Sequence, residues 1–209
     1  MKIKITMLLF CICSLISFGQ QRRMTVSEVS AFKQNVDAVS KKTRTLSTDF
    51  VQYKHLDFLA KDIETSGKMN FKAPDALQWQ YKKPYNYSIV FKNGKILVND
   101  EGKKSSFDTG NSKIFAKINK LIVGSVSGNL FDDKEFDISY FKGKNQNVTK
   151  LIPKDAALKK YIKQIELTFD TDDFMVMEVR LIESSEDFTR IVMKNKVINA
   201  KIDDAIFTN

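Results

Sequence analysis

Apolar and polar side chains alternate along most of this chain, and the period of that alternation changes at only a few places. From Thr25 to about Lys42 the apolar residues Val29, Phe32, Val36 and Val39 recur at helical spacing and form one stripe. The pattern predicts an amphipathic helix, with Thr25 or Ser27 as its N-cap. After Arg44 the period falls to two. "TLSTDFVQY" puts Leu46, Thr48 and Phe50 on one face. "GKMNFKAPDALQWQYKKP" (67–84) puts Met69, Phe71, Leu77, Trp79 and Tyr81 on one side, with Lys68, Asn70, Lys72, Gln78 and Gln80 on the other. "YSIVFKNGKILVND" predicts a hairpin turned by Asn93-Gly94, the favoured pair for a two-residue connection. "KKSSFDTG" adds a short strand.

The alternation breaks at Asn111. Ile114, Phe115, Ile118, Leu121 and Ile122 fall at helical spacing and lead into a Gly/Ser stretch, which predicts a short inserted amphipathic helix with a flexible exit. Strands resume with "EFDISYFKG" and "NVTKLIPK". A short helical connection near "DAALKKY" follows, and then "IKQIELTFD", "FMVMEVRLIES" and "DFTRIVMKNKVIN" meander through polar turns. The expected fold is one α+β domain of nine to eleven antiparallel strands, an N-terminal helix and an inserted helix.

Composition separates a leader from the rest. Lys2 and Lys4 precede the apolar run Ile5 to Phe18, and Ser17 and Gly19 supply the small residues of a cleavage site. Residues 1–19 are therefore expected to be a secretory signal peptide, too short for a membrane span. Cys11 and Cys13 both lie inside it, and neither follows a small residue as a lipoprotein box requires. Residues 20–209 are expected to form the single domain, and about 190 residues suffice for a real core. It carries 32 basic and 25 acidic residues, scattered rather than in a run, which with export argues against a nucleic-acid partner.

Few residues could do chemistry. His55 is the only histidine, so a histidine triad or multi-histidine zinc site has little to draw on. It is expected to be solvated at a strand end. "DTDDF" (170–174) begins like a calcium loop, but Met175 holds the glycine position and Leu181 that of the closing glutamate, so a plain turn is expected. Glu183 and Glu186 fit a solvated hairpin end. The chain is read as a non-enzyme, without metal or cofactor.

The broad apolar face remains. On periodicity alone, an ordinary core packed on the first helix is the simpler reading. The order of elements shifts the balance. "GKMNFKAPDALQWQYKKP" followed by "IVFKNGK" resembles the LolA family of periplasmic lipoprotein carriers in its strand, basic residue, first proline, Trp-ended aromatic pair, second proline and Gly-turned hairpin. "LSTDFVQ" is similar to that family's first strand, "LIPKDAALKKYIKQIELTF" to a later pair, and "DDAIFTN" to its last strand.

The resemblance implies an incomplete antiparallel β-barrel of about eleven strands, closed by the N-terminal helix and an inserted lid helix. Such a protein shields lipoprotein acyl chains in its cavity. It carries them, as a monomer, across the periplasm from an inner-membrane lipoprotein exporter to an outer-membrane acceptor. Phe50, Met69, Phe71, Leu77, Trp79, Tyr81, Ile89 and Phe91 would then line the cavity. Val36, Val39, Ile114, Phe115, Ile118 and Leu121 would form the lid underside. The family's lid-tethering arginine is replaced by Ala73; the basic Lys72 precedes it, but one residue earlier in a strand it faces the other way. A weakly tethered lid is therefore expected. The chain ends at Asn209 without the C-terminal tail of some carriers, so the resemblance does not carry a tail-dependent selectivity over to it. The alternatives are a carrier of another lipid or apolar molecule on this scaffold, and a related sensor that binds an anti-sigma factor, for which about 190 residues leave little room.

Overall fold

In a computed structural model, residues 21–108 and 131–208 are described. Residues 1–19 and the inserted helix, with Ile114, Phe115, Ile118 and Leu121, lie outside them. The first long element is α1 (Val26–Lys42). Thr25 is its N-cap in a capping box with Glu28, whose carboxylate accepts from the Thr25 backbone N–H at 3.0 Å. The same carboxylate receives a two-pronged bond from Arg22 at 2.6 and 2.8 Å. Arg22–Arg23 is a two-residue strand, β1, and so the helix start is tied to the sheet edge.

The remaining strands are β2 (Thr45–His55), β3 (Ile63–Lys72), β4 (Ala76–Lys83), β5 (Tyr87–Lys92), β6 (Lys95–Asp100), β7 (Lys103–Asp108), β8 (Phe136–Lys142), β9 (Gln146–Pro153), β10 (Ile162–Asp170), β11 (Val176–Glu183) and β12 (Phe188–Ile198), with the short helix α2 (Ala156–Lys159) between β9 and β10. All pairings are antiparallel, in the order β1-β8-β9-β10-β11-β12-β2-β3-β4-β5-β6-β7. The twelve described strands run from β1 to β7 without closing, which is the expected incomplete barrel with one short strand more than the sequence indicated. Asn93 and Gly94 both take positive φ, as the predicted two-residue turn requires, and Glu101-Gly102 turns the next hairpin in the same way.

Two apolar layers lie on the concave face. α1 lays Phe32 and Val36 on β8, β9 and β10, where Phe32 meets the Phe169 ring edge-on at 5.1 Å. A second layer gathers Leu46, Phe50, Met69, Phe71, Leu77, Trp79, Phe91, Ile96 and Met175. Its tightest point is Gly67, which pairs with Phe50 across β2 and β3 beside a register shift on β4. A Cβ there would stand 1.8 Å from the Gln80 carbonyl oxygen and 2.9 Å from the Phe50 ring, so close approach, not φ, requires glycine.

The convex face is covered at one corner by the C-terminal segment. Asn199 caps the crossing: its Oδ1 accepts from Arg44 N–H at 2.7 Å and its Nδ2 donates to Lys42 O at 3.1 Å. Ile202, Ile206 and Phe207 then pack on Ala76, Val90 and Leu97. "DDAIFTN" was expected to be a last strand, but Asp204–Phe207 is a turn of 3₁₀ helix. Its apolar residues pack as a cap at helical spacing, and Asp203 accepts from Ala205 N–H as the N-cap.

Gly67→Ala should lower the urea midpoint by an amount equivalent to about 2 kcal/mol or more, since β3 and β4 must separate to admit the methyl group. Arg22 first, then the Thr25 N–H, holds the Glu28 carboxyl far below its ordinary value of 4.5. A carboxylate depressed on folding contributes stability that is present above its ordinary value and is lost as pH falls towards the folded one. Glu28→Gln should therefore flatten the loss of stability below about pH 4.5 in an acid titration followed by far-UV circular dichroism.

Candidate functional site: an apolar cavity in the half-barrel

The two layers do not meet completely. Between them lies a cavity of about 790 Å³, within the range of roughly 300–1,000 Å³ usual for small-molecule pockets. One wall is β4 to β6, with Trp79, Tyr81, Ile89, Phe91, Ile96 and Val98. The facing wall is β10 to β12, with Ile165, Leu167, Val179, Leu181, Ile191 and Met193. Val36, Val39 and Ser40 of α1 close it from above, and Leu46, Thr48, Gln52 and Met69 floor it from β2 and β3. Strand alternation produces this arrangement, because side chains at every second position share a face and their polar neighbours go to the convex side.

Polar groups on the wall are few and mostly paired. Tyr81 donates its hydroxyl to Gln52 Oε1 at 3.0 Å, and burial raises the Tyr81 phenol above its ordinary value. Thr48 donates to the Lys194 carbonyl at 2.7 Å. Lys196 reaches the wall from β12 and is ion-paired with Asp173 at 2.6 Å. Among the described residues no cluster of three or more His, Asp or Glu side chains is placed to hold a metal ion. The wall can exclude water from an apolar chain, a non-directional interaction proportional to the area covered.

The structure brings Met69, Trp79, Tyr81, Ile89 and Phe91 together on the wall, with Val36 and Val39 above them. Phe50, Phe71 and Leu77 are placed differently from expectation: each is fully buried in the packed layer. The Phe50 ring lies on Gly67 and is covered by Trp79, with ring centres 4.4 Å apart, and by Tyr81 at 5.2 Å, so it supports the wall without forming it. Phe71 and Leu77 oppose each other beside the tight β3–β4 connection, where the sheet leaves no gap. Ala73 packs at the edge of that layer and donates its N–H to Arg44 O at 2.8 Å. Lys72 points to the convex side, where it pairs with Asp204 at 2.5 Å.

The sequence reading left out the whole β10–β12 wall. The alternation Val179, Leu181 and Ile191, Met193 within its strands was available as the signal. Phe174 and Met175, in the turn compared with a calcium loop, also reach the cavity. His55 is less solvated than expected, since its ring stacks on Phe188 at 4.7 Å and bonds Asp62 at 2.9 Å.

The family described as outer membrane lipoprotein carrier protein LolA matches residues 41–209. No curated protein sequence matches significantly. Among solved structures, the chain is similar to MucB, at 10% identity and TM-score 0.51, over 88% of this chain and 63% of that one. An uncharacterized conserved protein from Thermus thermophilus is similar at 8% identity and TM-score 0.51, over 84% and 91%. The lipoprotein LppX from Mycobacterium tuberculosis gives 8% identity and TM-score 0.48, over 86% and 99%.

Trp79 is the single tryptophan, so its fluorescence reads the cavity directly. Brominated fatty acid should quench it in wild type. In Trp79→Phe,Val179→Trp the indole moves to the facing wall, and the same ligand should quench it there too. Absence of quenching in wild type would mean that acyl chains do not reach this wall.

Proposed function

Because the chain belongs to the LolA family, we propose that it is a periplasmic carrier that shields the acyl chains of lipoproteins and delivers them from the inner to the outer membrane. The observation that carries this reading is the apolar cavity of about 790 Å³ held between two curved walls of one sheet. Its export rests on the leader-like residues 1–19. Its partners would be an inner-membrane exporter and an outer-membrane acceptor.

Energetics shape how such a carrier works. Burying acyl chain contributes about 0.8 kcal/mol per CH₂, so one long chain represents on the order of 10 kcal/mol. Release into water is then too slow, and cargo must pass directly to an acceptor that binds it more tightly. The carrier does best with a loose, non-directional wall and a cover that costs little to open. A wall built largely from Met, Ile, Leu and Val, with Trp79, Tyr81 and Phe91 among them, fits that need, since such side chains repack around different chains.

Ala73 supports a second reading, a carrier of a different lipid on the same scaffold. No arginine stands at the family's lid-tether position, and Lys72 is committed to Asp204 on the far side of the sheet. Neither residue is available to hold a cover closed from inside, so the apo cavity is expected to open easily.

Depleting the protein and fractionating lipoproteins between the two membranes tests the main reading. Retention of outer-membrane lipoproteins in the inner membrane is expected. Normal sorting would overturn the lipoprotein role and leave the lipid carrier standing. Separately, Ala73→Arg should slow uptake of an environment-sensitive fatty-acid probe, and unchanged uptake would contradict the tether argument.

A further inference from the structure

One cation is turned into the cavity by an irregularity of the sheet. β12 pairs with β2 in regular register from Phe188 to Lys194, then resumes at Val197 with one extra residue. Before the shift Thr189, Ile191 and Met193 face the cavity and Lys194 faces away. Regular alternation would send Lys196 outward with Lys194. The extra residue reverses the parity, so Lys196 joins the cavity wall instead. Asn195 holds the bulge, at φ 54° and with its Nδ2 donating to Asp49 Oδ2 at 3.0 Å.

Among the described wall residues Lys196 is the only cation. Its side chain is 19% exposed, and its partner Asp173 is 38% exposed, on the turn between β10 and β11. The carboxylate is therefore the more solvated half of the pair, and it has a second task, since Oδ1 accepts the Met175 N–H at 2.8 Å. A half-buried ammonium on an apolar wall is costly without an anion, and an anion delivered from within the cavity meets it at lower dielectric than Asp173 does.

We propose that Lys196 is the headgroup site of the cavity: it binds the anionic head, carboxylate or phosphate ester, of an amphiphile whose chain lies along the apolar wall. The inference rests on the second reading, a carrier of another lipid, because the acylated N-terminal cysteine of a lipoprotein carries no anion on its lipid, and it adds a direction to the cargo. The head sits at the end of the cavity near Leu46, Thr48 and the last turns of α1, and the chain extends towards Tyr81 and Leu181. On loading, the anionic head replaces Asp173 as the partner of Lys196, and Asp173 keeps its bond to the Met175 N–H.

Displacement of N-phenyl-1-naphthylamine by palmitate, palmitoyl-lysophosphatidylglycerol and hexadecanol tests this with the soluble chain. In wild type at least one anionic ligand should bind about tenfold more tightly than hexadecanol, the scale of a charge-assisted hydrogen bond. Preference for palmitate alone assigns a carboxylate site, for the lysolipid alone a phosphate site, and for both a site for either anion. Lys196→Met should abolish the advantage while leaving hexadecanol within about twofold. Asp173→Asn, which keeps the acceptor for Met175 N–H, should strengthen anion binding. Equal affinity for all three ligands in wild type overturns the headgroup site but not the lipid cavity. So does a Lys196→Met variant that loses hexadecanol as much as palmitate. Failure of all three to displace the probe overturns both.

Discussion

Among the described residues, the architecture follows from a mismatch of apolar area between α1 and one long curved sheet. α1 covers the concave face with two fully buried side chains, Phe32 and Val36, over β8 to β10. The sheet presents inward apolar residues on strand after strand, from Tyr140 on β8 round to Val98 on β6. A helix about 10 Å across cannot satisfy a surface that wide. Bulges on β4, β10, β11 and β12 tighten the curl, and Gly67 lets Phe50 settle beneath Trp79 and Tyr81. Curvature therefore narrows the gap without closing it, and the cavity is what remains.

That origin explains the chemistry the cavity can offer. Its walls are ordinary strand faces, so they provide area and exclusion of water, with little that is directional. Area alone retains an acyl chain of any headgroup, which suits a carrier and makes the wall a poor judge of cargo. The groups able to discriminate are the Tyr81–Gln52 pair towards one end and Lys196 at the other.

Much of the fold was legible because it depends on local signals. The helical stripe of α1, the Thr25 cap and the Asn93-Gly94 turn each state their conformation within a few residues. The wall of β4 and β5 was legible for the same reason, since alternation carries Trp79, Tyr81, Ile89 and Phe91 to one side. What failed depends on distant partners. Phe50 has the pattern of a wall residue, but a glycine across the ladder draws it into the packed layer. Ile206 and Phe207 have the pattern of strand residues, though they cap the convex face from a 3₁₀ turn. Lys196 was invisible, because a bulge reverses the parity on which any reading of faces relies.

The central claim is that the curved sheet holds an acyl-chain lipid in the space α1 leaves uncovered. Mass spectrometry of organic extracts, from protein purified without detergent, tests it most directly. The account predicts stoichiometric acyl lipid with the wild-type chain. A wild-type chain free of lipid would contradict it.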